Sequence, residues 1–123
     1  MSKNVVDSVI EVSQQDDIFG LIPSRRQVEH DGGYVNNWTT ESFSEYVGGK
    51  AVICRDHAGP NQGAQKDEGF KSLRHDAKNF NIIHFDPWIK YQDYEEGLWQ
   101  TIAALNYVYE KNQNILFEVG TEE

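Results

Sequence analysis

Residues Ala51 to Gly63 read AVICRDHAGPNQG, and this stretch decides the fold. The apolar run Ala51, Val52, Ile53, Cys54 breaks off at Arg55, Asp56 and His57, and a Gly59-Pro60 turn with Asn61 and Gln62 follows. A short apolar run bounded by turn residues predicts a strand buried on both faces, the kind found in parallel sheets. The polar cluster then stands at the strand's C-terminal end. In parallel α/β architectures ligands and catalytic groups gather there, because the loops vary on a rigid scaffold. Side by side, Asp56 and His57 supply a proton-transfer carboxylate and a metal-binding imidazole. The structural alternatives are a loop or helix cap for Asp56 and a loop-bonded strand-tip histidine for His57.

The same pattern recurs on both sides of this stretch. Upstream, Lys3 to Gln15 carries Val5, Val6, Val9, Ile10 and Ser13 at helical spacing, and Ile18 to Pro23 (IFGLIP) reads as a strand ended by proline. Its end opens into a polar, Gly-rich segment from Ser24 to Asn37, read as a working loop. Thr39 or Thr40 caps a helix bearing Phe43, Tyr46 and Val47, and Gly48-Gly49 stops it. Downstream, Lys66 to Asn79 predicts a surface helix with Phe70, Leu73 and Ala77 on one stripe. The strand Phe80 to Phe85 (FNIIHF) follows and ends in Asp86, Pro87 and Trp88. Glu95 to Lys111 is the clearest helix, with Leu98, Ile102, Leu105 and Val108 or Tyr109 as its core face. A fourth strand, Ile115 to Val119, runs into Gly120, Thr121, Glu122 and Glu123.

Strands that alternate with helices and end in polar residues predict parallel βαβ units in one domain, residues 1–123. A doubly wound sheet is complete at about this length, whereas a barrel of eight βα units needs ~250 residues. No Gly-rich phosphate fingerprint follows the first strand, and the chain stops at a polar strand tip. The expectation is therefore an α/β fragment of a (β/α)8 TIM barrel, with about four parallel strands.

Composition narrows the partners. Twenty acidic against 11 basic residues give a formal net charge of -9, which leaves no basic field for nucleic acid or an anionic membrane. An anionic substrate would need a locally basic pocket, for which Arg25, Arg26 and Arg55 are the candidates. The single cysteine, Cys54, excludes an internal disulfide and reads as a buried structural thiol in a reducing compartment. No apolar run approaches the ~18 residues of a membrane span, and the N-terminus lacks the layout of a secretory signal. A cytoplasmic protein with no membrane partner is expected.

Four groups of residues carry a further resemblance: Ser24, Gln27 and Val28 with Gly32, Gly33 and Tyr34; Asp56, His57, Gly59, Pro60 and Asn61; Ile83, His84 and Asp86; and Gly120, Thr121 and Glu122. In order and internal spacing they resemble the class II tagatose-bisphosphate aldolases, in particular the large accessory, or Z-type, subunits. The likeness spans nearly the whole chain but only the second to fifth barrel strands. It departs at Arg55, where the family usually has Gly, and at Pro87-Trp88, which replace a small polar pair.

What the resemblance implies is a metal-dependent aldehyde-lyase of carbohydrate metabolism acting on a sugar phosphate, a ketose bisphosphate. Asp56 would move the proton and His57 would bind a divalent metal, zinc in that family. Glu118 resembles the metal-binding Glu of catalytic relatives and competes with Glu122 for that role. Ser24, Gln27 and Asn61 would contact substrate, and Asp86 would orient hydroxyls. Two alternatives accompany this reading: a noncatalytic accessory subunit that stabilises an aldolase, and a metal-dependent sugar epimerase. A half barrel would also self-associate or take a partner subunit, because it exposes two strand edges and an apolar inner face. His84, inside an apolar strand, reads as a hydrogen-bonded core or supporting histidine, and His30 and His75 as solvated. Trp88, Tyr91 and Tyr94 read as packing, or as the floor of a sugar site.

Overall fold

The computed structural model describes residues 1–15 and 18–121. Helices and strands alternate as α1 (Lys3–Ser13), β1 (Gly20–Leu21), α2 (Thr40–Val47), β2 (Val52–Ala58), α3 (Phe70–Asn79), β3 (Ile82–Phe85), α4 (Tyr94–Lys111) and β4 (Leu116–Val119). Neighbouring strands are all parallel and lie in the sheet in chain order, β1-β2-β3-β4. The fold is α/β, with four parallel strands alternating with four helices, as the sequence predicts.

Caps fix the helix ends. Thr39 and Ser42 form a reciprocal capping box, each side-chain oxygen accepting from the other's backbone N–H at 3.0 Å, so Thr39 is the cap and Thr40 lies buried inside α2. Gly48 closes that helix in the left-handed region at φ 59°. At α4, Asp93 accepts from the Glu96 N–H at 3.0 Å, with Glu95 and Glu96 in the first turn and Lys111 in the last.

Two apolar clusters fill the space between sheet and helices. Val6 of α1 and Phe43 and Val47 of α2 close on Leu21 and Ile53; Leu73 and Ala77 of α3 and Ala104 and Val108 of α4 close on Ala58, Ile83 and Phe85. Each of the buried Val, Leu, Ile and Phe side chains among them contributes ~1.5–3 kcal/mol. Because register partners in the sheet share a face, all four helices cover the same side and the other side stays open.

Arg55 lies on the helix side, two residues along from Ile53. Its guanidinium makes a bidentate pair with Asp76 of α3 (Nε to Oδ2 2.9 Å, Nη2 to Oδ1 2.8 Å) and donates to the Pro23 carbonyl at 3.0 Å. Both partners are fully buried. The anion-pocket reading of Arg55 is thereby corrected: alternation turns it away from the strand's polar tip and into the core.

Several boundaries also shift. Strand β1 pairs over two residues rather than six, and Ile18, Phe19 and Ile22 remain 90, 43 and 57% exposed. Strand β2 runs on through Arg55, Asp56 and His57 to Ala58. Helix α3 starts at Phe70 instead of Lys66. The expected core stripe of α4 holds at Val108, which is buried, but not at Leu98 and Ile102, which stay exposed while Gly97, Thr101 and Ala104 are buried instead. The small residues on its buried side face α3, with which α4 packs. Among the described residues no helix is long and apolar enough to cross a membrane.

Candidate functional site

The tip of β2 is irregular, and the irregularity builds the site. Register runs Cys54 to Ile82 and Arg55 to Ile83, then Ala58 to Phe85, three steps along β2 against two along β3. This is a β-bulge. His57 occupies it at φ 44°, a left-handed conformation that costs a non-glycine residue ~1–3 kcal/mol and in which histidine is enriched. Strict alternation would put Asp56 and His57 on opposite faces. The extra residue returns Ala58 to the helix-side core and leaves both polar residues on the open side.

His84 on β3 joins them there, between Ile83 and Phe85, which face the core. Asp56, His57 and His84 each bring one metal-ligating atom within 4.8 Å of the others. His57 Nε2 lies 3.6 Å and His84 Nδ1 3.9 Å from Asp56 Oδ1. Ring centroids of the two imidazoles are 4.7 Å apart. Behind His57, the buried carboxylate of Asp86 stands 3.2 Å from Nδ1, and its other oxygen accepts from the Trp88 N–H at 3.2 Å. A proton on Nδ1, donated to Asp86, turns a lone pair of Nε2 toward Asp56 and His84. Gly120, just past β4, makes room for His84: a Cβ there would overlap its Nε2.

These residues fit a divalent metal ion. Two imidazole nitrogens and one carboxylate oxygen are a donor set of catalytic zinc sites, and tetrahedral bonds of ~2.0–2.2 Å place donors about 3.4 Å apart. Separations of 3.6 and 3.9 Å from Asp56 lie near that spacing, and all three donor atoms lie within 4.8 Å of one another. A carboxylate behind a ligating histidine fixes its tautomer and orientation, the position that Asp86 holds.

Of the metal ligands expected from sequence, His57 is in the cluster. Glu118 pairs with His84 across the ladder and is exposed on the same open side, outside the cluster; Glu122 lies outside the described residues. His84, read from sequence as a core or supporting histidine, lies partly buried on the open side as a member of the cluster. The alternation of FNIIHF, with Ile83 and Phe85 inward, was the signal that sets His84 on the other face. Burial pushes the Cys54 thiol up, with Glu118 and then Asp56 adding to it, in keeping with a structural thiol.

The expected substrate-binding residues are more scattered. Ser24 sits beside Asp56 through an isolated parallel bridge, and its N–H donates to Gln27 Oε1 at 3.2 Å, so Gln27 closes the turn after β1. Asn61 adopts φ 61° and its N–H donates to the Asp67 carbonyl at 3.0 Å. Its neighbour Gln62 is the one that lines a cleft of about 920 Å³ next to His57 and Asp86.

Arg25 is not available to an anion. It pairs with Glu29 at 2.7 Å and with both oxygens of Asp67 at 2.9 and 2.6 Å, and it donates to the Gly59 carbonyl at 2.7 Å, tying the loop after β1 to the loop after β2. His30 and His75 are stacked on each other and paired with Glu29 and Glu41, which corrects their reading as solvated. No family model, curated protein or solved structure matches the chain.

Proposed function

We propose that the chain forms part of a (β/α)8 barrel whose strand tips carry a metal-dependent site for sugar chemistry, with reversible aldol cleavage of a ketose bisphosphate as the reaction class. The observation that carries this reading is the meeting of Asp56, His57 and His84 at the C-terminal ends of adjacent parallel strands, backed by Asp86. Sequential strand order supports the barrel, because doubly wound sheets reverse their order at a switch point.

His57 and His84 would hold the ion, with Asp56 Oδ1 beside them. A bound divalent ion, zinc or a similar metal, polarises a carbonyl and stabilises the enediolate. Asp56 Oδ1 faces the imidazoles, so Oδ2 on this half-exposed side chain is the oxygen that exchanges a proton with substrate. Asp86 keeps His57 in one orientation and tautomer. Ser24, next to Asp56, borders the same tip.

Solvent-deuterium exchange at the carbon next to a ketose carbonyl, followed by NMR with Zn²⁺ present, tests this on the chain and on any assembly it forms. Exchange should fall ~10²-fold or more in Asp56→Asn, with metal affinity less affected than in His57→Ala. An epimerase would show the same exchange without carbon-carbon cleavage. Absence of exchange in the wild type would favour the noncatalytic partner. That second reading draws on the exposed Leu98, Trp99, Ile102 and Tyr109 of α4 beside the edge strand β4, a surface suited to self-association or to another subunit.

A further inference from the structure

The cleft beside the cluster has a chemistry of its own. His57 and Asp86 line it together with Gln62, Trp88, Gln92 and Tyr94. Among the described residues no lysine or arginine lines it. Of the three arginines near the strand tips, Arg25 is paired with Glu29 and Asp67, Arg55 is paired with Asp76 behind the sheet, and Arg26 lines a different cleft beside Glu29 and His30. An anion entering here would meet the Asp86 carboxylate and no cation. The walls provide instead an indole, a phenol and two primary amides, flat apolar faces interleaved with groups that both donate and accept hydrogen bonds.

Trp88 is held in place from several directions. Its backbone N–H donates to the same Asp86 carboxylate that orients His57. Its indole packs onto α4 at Gly97, where a Cβ would overlap the ring nitrogen. The Tyr94 ring lies 6.3 Å away, tilted by 31°. A fixed indole beside the reacting groups is suited to covering the C–H face of a polyol while neighbouring amides pair its hydroxyls.

We propose that this cleft binds the uncharged, polyhydroxylated portion of the substrate, with Trp88 as its platform and Gln62 and Gln92 as hydroxyl partners, and that it selects against a phosphate or carboxylate at that position. The assignment of the ligand as substrate rests on the metal-dependent sugar reading and narrows it: the sugar would carry no phosphate on the end that enters this cleft. The binding itself needs no metal, and the two therefore fail separately.

Saturation-transfer NMR on the full chain, first in EDTA and then with Zn²⁺, provides the test, with D-fructose and D-fructose bisphosphate as probes. In EDTA, D-fructose should bind and the bisphosphate should bind about tenfold more weakly or not at all. Trp88→Ala should weaken D-fructose binding about fivefold or more. Gly97→Ala, which favours the helix and displaces the indole, should do the same with the circular dichroism of the wild type retained. Equal or tighter binding of the bisphosphate, absent D-fructose binding, or wild-type binding in both variants would overturn the proposal. Loss of Zn²⁺ binding with D-fructose binding intact would sink the metal reading and leave the cleft assignment standing.

Discussion

Arg55 and Asp56 are neighbours in the chain and belong to opposite halves of the molecule. Arg55 goes behind the sheet into a fully buried bidentate pair with Asp76, while Asp56 goes in front to a half-exposed cluster with two imidazoles. Burial separates structural charge from chemical charge. A buried charge that loses its partner has no water to replace it, whereas an exposed one does. The back of β2 should therefore govern stability, and its front should govern ligands.

Removal of one partner of the buried pair is the strongest way to test that division. Asp76→Ala should destabilise the fold by ~3–5 kcal/mol in urea denaturation, because it strands Arg55 in the core. Asp56→Asn should change stability by about 1 kcal/mol or less. If the two cost the same, the distinction between the faces collapses.

The front can be probed without touching a ligand. Asp86→Asn keeps the shape behind His57 but weakens its hold on the imidazole, so Zn²⁺ affinity measured by calorimetry should fall ~10–100-fold. A drop in melting temperature with unchanged affinity would return Asp86 to a structural role.

A smaller effect concerns acid. Burial alone would raise the Glu29 carboxyl; the Arg25 guanidinium and hydrogen bonds from His30 and Ser72 outweigh it and hold Glu29 below its ordinary value of 4.5. A carboxyl lowered in the folded state contributes stability that is present above that ordinary value and lost as pH falls through the folded one. Urea midpoints should therefore decline below about pH 4.5, and less steeply in Glu29→Gln. Identical pH profiles would remove Glu29 from the account.

Much of the fold was legible because it follows from local rules. Four apolar runs, capped helices between them and polar strand ends predict the α/β order, and the parallel sheet follows. What the sequence hid depends on packing at a distance. Leu98, Ile102 and Tyr109 have ideal helical spacing for a core stripe, yet the smaller set of Gly97, Thr101, Ala104 and Val108 is buried, and nothing local says which neighbour will be close.

At the site, Asp56 and His57 stood out as an adjacent pair, but side-by-side use depends on the bulge at His57. Nothing in RDHAG announces that bulge. Arg55 was misread by the same token, since proximity to a strand tip is not orientation. His84 was the readable omission: its inward neighbours had already assigned it to the open face.

Asp56, His57 and His84 meet in front of the sheet as one candidate metal centre. Calorimetric titration with Zn²⁺ of the wild type, His57→Ala, His84→Ala and Glu118→Ala tests it most directly. One ion per wild-type chain is predicted, with affinity reduced about tenfold or more in each histidine variant and unchanged in Glu118→Ala. No binding by the wild type, or loss of binding in Glu118→Ala with none in His84→Ala, would contradict it.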